Sequence, residues 1–274
     1  MHLFRKSRYN INGFEIKIPK KHMLPIFQKK FPLYDKFLPF LVNNYKKTGS
    51  IIDVGANCGD TLFSMYTPNN HYICIEGSSF FYDYLVKNIN KFQLKNVETI
   101  CALVGNDIEK SGVLSEGNST KHVIKCDGIN AIKYQKLDNL CSTIQDLIIL
   151  KSDVDGFDYD TIISGLDLIK KFKPIIYFEA QFNIKNDVCH FLDLIKLLYD
   201  QDFIYITLFD NFGEVLYNGD VNFVLLEQFF NYVSHQNFGK ASRTIYYFDI
   251  LMCDSIRKYE VVSIIENYIN SYQS

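Results

Sequence analysis

The stretch IIDVGANCGDT, residues 51–61, decides how the chain is read. An apolar run of strand length ends in Asp53, Gly55 and Gly59 bracket a tight loop, and Asp60 and Thr61 stand where a helix can begin. Strand, glycine loop and helix start, in that order, describe the first βα unit of an open α/β sheet, where glycine lets the backbone approach a ligand without a Cβ in the way. A dinucleotide site asks for G-x-G-x-x-G, so that a pyrophosphate rests on a helix N-terminus. Here the spacing is G-x-x-x-G, and the Asp53 carboxylate just before it repels a pyrophosphate while suiting a cationic end, such as the ammonium of a methionine moiety. Twenty-one residues after Gly55, a second strand ends in Glu76, placed to accept from two ribose hydroxyls. Either feature alone is common in α/β proteins. Together, on consecutive strands, they favour a site for an adenosine ligand without phosphates over a purely structural turn.

Outward from this unit, apolar runs of strand length recur at 71–76, 97–103, 146–154, 174–180, 203–209 and 244–253. The first five runs, counting 51–54, are nearly continuous in apolar residues, as parallel strands covered on both faces are. Helical patterns lie between them: 79–92 with Phe81, Leu85, Ile89 and Phe92, and 187–199 with Val188, Phe191, Leu192, Ile195 and Leu198. The tail, 254–270, carries Val261, Ile264, Ile265 and Tyr268 on one face. This alternation predicts an α/β fold with a doubly wound, mostly parallel sheet. The stretch 104–136 reads as a loop with a hairpin rather than a helix, and 210–243 as further loop.

Upstream, four of the six prolines fall within the first 39 residues and predict an irregular arm. The arm leads into a helix with Tyr34, Phe37, Leu38, Leu41, Val42 and Tyr45 on one face. The expected organisation is therefore 1–48 as N-terminal arm and helix, then 49–274 as the cofactor-binding domain. The arm is expected to cover the cofactor cleft or to meet a second copy of the chain in a homodimer.

Composition bounds the function. Of 274 residues, 47% are hydrophobic and 22% charged, far from the disordered class. Twenty-nine basic against 31 acidic side chains leave a formal charge of −2, so no bulk field holds a nucleic acid or an anionic membrane. Seven cysteines without a C-x-x-C pair give neither a disulfide framework nor thiolate-zinc spacing, which suits a reducing, cytoplasmic setting. No apolar run reaches the ~18 residues of a bilayer span, and the start MHLFRKSRYNING lacks the apolar core of a signal peptide.

DVGANCGDT (53–61), ICIEGSSFFYDYLVKNI (73–89), LDNL (137–140), IILKSDVDGFDYDTIISG (148–165) and KPIIYFE (173–179) resemble, in order and spacing, the motifs of FkbM-type S-adenosylmethionine-dependent methyltransferases. The resemblance implies a Rossmann-like methyltransferase fold, a seven-stranded sheet whose last strand runs antiparallel, with methyl transfer from S-adenosyl-L-methionine to a hydroxyl of a sugar, polysaccharide precursor or other natural product. It also implies that Asp53, Gly55, Asn57 and Gly59 shape the methionine pocket and that Glu76 binds the ribose, with Ala56, Thr61, Gly77 and Asp155 completing the cofactor set. Ser152 and Asp155 depart from the family pattern, which has an aliphatic residue and Glu there; Asp155 keeps the charge.

KSDVDGFDYD (151–160) places five charged side chains at the C-terminal end of a strand, where ligands of open α/β sheets gather. Asp158 and Asp160 suit a helix start. A hydroxyl acceptor ionises too weakly at neutral pH to react unaided, so a positioned base is worth ~10²–10⁴-fold. Asp153 is the first candidate, with Glu179 and His235 behind it, and Lys151 placed to hold its charge or that of a developing alkoxide. Oxygen ligands at Asp153, Asp155 and Glu179 leave Mg²⁺ as a weaker alternative without specific spacing. Cys58 lies inside the glycine loop with no histidine at a recognisable spacing, and reads as a small filler. A small-molecule or carbohydrate acceptor is expected; base methylation of a nucleic acid is disfavoured by the charge and by SDVDG, which stands where such enzymes carry an Asn/Asp-Pro-Pro-aromatic segment. A non-catalytic cofactor-binding scaffold is the rival from another class.

Overall fold

The structure, a computed structural model, describes residues 7–106, 111–115, 121–124, 132–184, 186–238 and 244–273. The first described segment is no irregular arm. Strands β1 (Arg8–Ile11) and β2 (Phe14–Lys17) form an antiparallel hairpin, followed by helices α1 (Leu24–Lys30) and α2 (Phe37–Asn44). The hairpin buries Ile11 and Ile16, with Ile18 and Leu24 from the following segment, in a small core of their own against Cys58 and Phe63. Asn88 clips it further, accepting from Lys17 N and donating to Lys17 O.

The first half of the main domain runs β3 (Ser50–Val54), α3 (Asp60–Met65), β4 (His71–Glu76), α4 (Ser79–Phe92) and β5 (Val97–Cys101). Next come β6 (Leu103–Val104), β7 (Ser111–Ser115), β8 (Lys121–Ile124) and β9 (Ile132–Gln135), a small sheet of order β6-β9-β7-β8, and the single turn α5 (Leu137–Leu140). The hairpin expected within 104–136 is the antiparallel pair β7·β8. The second half comprises β10 (Ile149–Ser152), α6 (Asp158–Ile163), α7 (Leu166–Phe172), β11 (Ile175–Gln181), α8 (Asp187–Tyr199), β12 (Tyr205–Asp210), β13 (Val215–Asp220), α9 (Phe223–Phe238), β14 (Tyr247–Cys253) and α10 (Lys258–Gln273).

The central sheet has order β13-β12-β14-β11-β10-β3-β4-β5. It holds eight strands, one more than the seven expected, and the seven expected runs are all in it. Strand β14 pairs antiparallel with both β11 and β12, as the last strand was expected to. The extra strand, β13, is an edge hairpin partner of β12 whose residues alternate between partly buried and exposed. The β12–β13 turn needs Gly213: its φ is +92°, and a Cβ there would stand 2.2 Å from the Leu33 carbonyl oxygen.

Both sheet faces are covered, which is why the parallel strands are so apolar. One face packs Ile52, Leu150, Ile176 and Ile250 against α6 to α9; the other packs Ile51, Ile149, Ile175 and Leu251 against α2, α3, α4 and α10. Helices α4 and α8 coincide with the predicted 79–92 and 187–199, and α10 buries the four apolar residues predicted for its inner face. Among the described residues no helix is long and apolar enough to cross a membrane.

Candidate active site

The chain leaves β3 toward β4 on one side and returns to β10 on the other, so the strand order reverses between β3 and β10. Ligands of open α/β sheets sit outside such a point. A cavity of about 640 Å³ opens there, within the ~300–1,000 Å³ range of small-molecule sites. Carboxylates line it strand by strand: Asp249 on β14, Glu179 on β11, Asp153 after β10 and Glu76 at the end of β4. Asp249 and Glu179 are direct register partners.

At the β4 end, Glu76 is 5% exposed, and each of its carboxylate oxygens is held by one backbone amide. Asn57 N donates to its Oε2 at 2.8 Å and Ser78 N to its Oε1 at 2.7 Å. Each oxygen keeps a second lone pair, so the carboxylate fits two further hydroxyl donors. Burial pushes its pKa up to about 7, against the pull of those two amides. The loop itself is stitched to β4, with Gly55 N and Ala56 N both donating to Ile75 O. Gly55, φ +80°, is required by the protein rather than by a ligand: a Cβ would fall 1.9 Å from the Asp153 carbonyl oxygen. The glycine therefore lets the two ligand-facing loops touch.

Behind the cavity floor, Lys151 lies 3% exposed, with Nζ 2.8 Å from Asp53 Oδ1 and 3.8 Å from Asp153 Oδ2. It also donates to Gly55 O at 3.2 Å and Val54 O at 3.4 Å. Burial pulls its pKa down, but Asp53 and Asp153 outweigh it, and the ammonium is held above its ordinary value. Asp53 is wholly buried beneath the loop, so its charge is met by Lys151 rather than offered to the cavity.

Asp153 is the open member of the group, its side chain 53% exposed. Beside it, burial first and then the charges of Asp153, Asp158 and Asp249 push the Glu179 carboxyl well above the carboxylate range, while its Oε1 accepts from Gln181 Nε2 at 2.7 Å. Asp249 is likewise raised by burial, then by Asp153 and Asp35, and is steadied by the Tyr177 hydroxyl. Asp155 takes a left-handed φ of 51° before Gly156, and burial pushes its pKa up to about 7. Ser152, the departure from the aliphatic pattern, donates to the buried Asp158 Oδ1 at 2.6 Å.

Of the predicted site residues, Gly55, Asn57, Thr61, Glu76, Gly77, Asp153, Asp155 and Glu179 line the cavity. Asp53 and Lys151 stand beneath it, Ala56 and Gly59 within the loop. His235 is not there: the 210–243 stretch read as loop contains helix α9, and His235 sits exposed on it. Residues 239–243 of that loop lie outside the described residues.

The N-terminal segment supplies walls that the sequence left unread. His22, Leu24, Phe27, Phe31, Tyr34 and Asp35 all line the cavity, facing Asn211, Phe212 and Tyr247. The rings of Phe31 and Phe212 lie 4.4 Å apart. Over the glycine loop, His22 Nε2 stands 3.2 Å from Asn57 Oδ1 and 3.8 Å from Cys58 Sγ, and the Cys58 thiol donates to Asp60 Oδ1 at 3.6 Å. Cys58 thus has a histidine neighbour after all, brought from 36 residues away in sequence.

The model of the methyltransferase FkbM domain matches residues 53–205, more than half of the chain. No curated protein matches. Solved structures with a similar fold include an FkbM methyltransferase from Methylobacillus flagellatus (12% identity, TM-score 0.47, 84% of this chain and 58% of that one). Others are a precorrin-6y C5,15-methyltransferase from Geobacter metallireducens (9%, TM-score 0.40, 80% and 87%) and an rRNA methylase from Streptococcus thermophilus (9%, TM-score 0.41, 79% and 93%). At these values the likeness is coarse, and this chain spans under two thirds of the Methylobacillus protein. The sequence model carries the assignment: the chain belongs to the FkbM methyltransferase family, and its methyl donor is S-adenosylmethionine.

Proposed function

We infer that the protein methylates a hydroxyl oxygen of a neutral small molecule, a sugar, polysaccharide precursor or related natural product. The observation that carries this reading is Asp153, the open one of the four strand-end carboxylates, Glu76, Asp153, Glu179 and Asp249, that line the cavity. S-adenosylmethionine supplies an electrophilic methyl group when bound. Glu76 accepts from the ribose hydroxyls, and the loop Gly55, Ala56, Asn57 and Gly59, with Thr61, Gly77 and Asp155, forms the walls around the donor. Displacement at carbon asks the protein chiefly to align the acceptor oxygen and to exclude water. Phe31, Tyr34 and Phe212 do so from the far wall, with aromatic faces suited to a sugar ring. Asp153 takes the hydroxyl proton.

Lys151 acts from below. It neutralises Asp53 and holds its ammonium 3.8 Å from the Asp153 carboxylate, beside Glu179, whose pKa burial raises. His235, exposed on α9, has no part in this scheme. The formal net charge of −2 disfavours a phosphate-rich acceptor such as a nucleic acid. A setting in the cytoplasm remains the reading from the cysteines.

The test offers methyl-labelled S-adenosylmethionine with neutral glycans, sugar precursors and RNA as separate acceptors. Label in a hydroxyl-bearing small molecule, gained as one methyl by mass, supports the reading. Label in RNA alone overturns it.

A further inference from the structure

We propose that His22 Nε2, Cys58 Sγ and Asp60 Oδ1 form a four-coordinate site for a divalent transition metal, zinc by preference, which staples the N-terminal segment to the glycine loop. The three ligand atoms lie within 4.8 Å of one another. The N···S separation is 3.8 Å and the S···O separation 3.6 Å. Zinc with bonds of ~2.0–2.1 Å to nitrogen, ~2.3 Å to sulfur and ~2.0–2.2 Å to oxygen sets its tetrahedral ligands about 3.4–3.6 Å apart. The two sulfur separations need adjustments of a few tenths of an ångström, while the nitrogen-to-oxygen separation, within 4.8 Å, closes to about 3.4 Å by turning of the His22 and Asp60 side chains.

The donor set selects the metal. One imidazole, one thiolate and one carboxylate suit zinc or cobalt, whereas magnesium and calcium want oxygen throughout. Thiolate and carboxylate together balance the charge of a divalent ion. His22 and Asp60 line the cavity while Cys58 is fully buried, so the fourth position faces the cavity and takes water.

Proton accounting is simple. The Cys58 thiol now donates to Asp60 Oδ1, and the metal displaces that proton to solvent. The imidazole proton moves to Nδ1, at the loss of the 3.2 Å hydrogen bond from Nε2 to Asn57 Oδ1 and of the long 3.3 Å contact from Leu24 N. No electron changes hands. The site goes beyond the methyl-transfer reading and stands independently of whether Asp153 takes a proton. Its place explains an otherwise idle buried thiol and fixes the segment that brings Phe31 and Tyr34 to the cavity.

The experiment uses the full chain, stripped with a chelator and titrated with Zn²⁺ and Co²⁺. One equivalent of each is expected to bind. The cobalt form should show a thiolate-to-cobalt charge-transfer band in the near ultraviolet and the intense visible bands of four-coordinate cobalt. Cys58→Ser should abolish the charge-transfer band, and His22→Ala should weaken binding at least tenfold, with folding followed by circular dichroism. His71→Ala, at a histidine outside the cluster, should change nothing. X-ray absorption on the unaltered zinc form, with one sulfur among nitrogen and oxygen neighbours, keeps the test open if a variant fails to fold. Absence of stoichiometric binding by the folded protein, a cobalt band that survives Cys58→Ser, or a zinc shell without sulfur overturns the proposal.

Discussion

Lys151 on β10 lies opposite Asp53 on β3 in the sheet register, and its Nζ is 2.8 Å from the Asp53 carboxylate. Both side chains are almost wholly buried, at 4% and 0% exposure. Breaking a buried pair by removing one partner leaves an uncompensated charge and costs ~3–5 kcal/mol. Lys151→Met should lower the free energy of unfolding by about that much in urea titration. The double variant Asp53→Leu with Lys151→Met should recover a large part of it. If the double variant is as unstable as the sum of the two singles, the pair is not coupled as described.

Glu76 is pushed up to about 7 by burial, so at pH 6 it is mostly protonated and at pH 8 mostly ionised. An ionised carboxylate accepts two hydroxyls, a protonated one fewer. Binding of S-adenosylhomocysteine, followed by calorimetry, should therefore strengthen as pH rises from 6 to 8. Glu76→Gln should weaken it by ~1–3 kcal/mol at pH 8 and flatten the pH dependence. Affinity that is flat with pH in the unaltered protein, or unmoved by the substitution, puts the ribose elsewhere.

The three strand ends that frame this site were legible because a carboxylate in an apolar run stands out: Asp53 in IIDV, Glu76 in HYICIE, Glu179 in PIIYFEA. Asp249 obeys the same rule within TIYYFDILMC and belonged on the list. Strand β13 escaped because an edge strand needs only half its residues apolar, and VLYNGD carries turn formers besides. Helix α9 was legible in principle: Leu226, Phe230 and Val233 keep a helical spacing. What sequence spacing does not carry is the approach of His22, Phe31 and Tyr34 to the cavity, since that contact depends on how the N-terminal hairpin docks on α3 and α4. The glycine loop was read correctly in position but for a different reason, because Gly55 makes room for the Asp153 carbonyl.

Asp153 and Glu179 should respond differently to removal of charge. Burial raises the Glu179 pKa and favours its neutral form, so Glu179→Gln should leave turnover within about tenfold. Asp153→Asn removes the open carboxylate and should lower kcat by ~10²–10⁴-fold, with cofactor affinity little changed. Single-turnover methyl transfer to the identified acceptor separates the two. A larger loss at Glu179 than at Asp153 would exchange their roles.

The buried carboxyls also set how stability varies with pH. Glu76 and Asp158 are each pushed up to about 7, chiefly by burial, and Glu179 is raised as well. In the unfolded chain these groups ionise near 4–4.5, so between about pH 4.5 and 7 the folded state binds more protons than the unfolded one. Stability is then fully present below the unfolded values and is lost as pH rises through the folded ones. Asp158 is a clean probe, because its Oδ1 accepts from Ser152 while its Oδ2 has no hydrogen-bond partner among the described residues. The melting temperature of the unaltered protein should fall by several degrees from pH 5.5 to pH 8.5, at roughly 2–4 °C per kcal/mol. Asp158→Asn cannot ionise and should show a shallower fall. A melting temperature that rises over this range, or an equal slope in the variant, would mean that Asp158 is ionised in the folded protein.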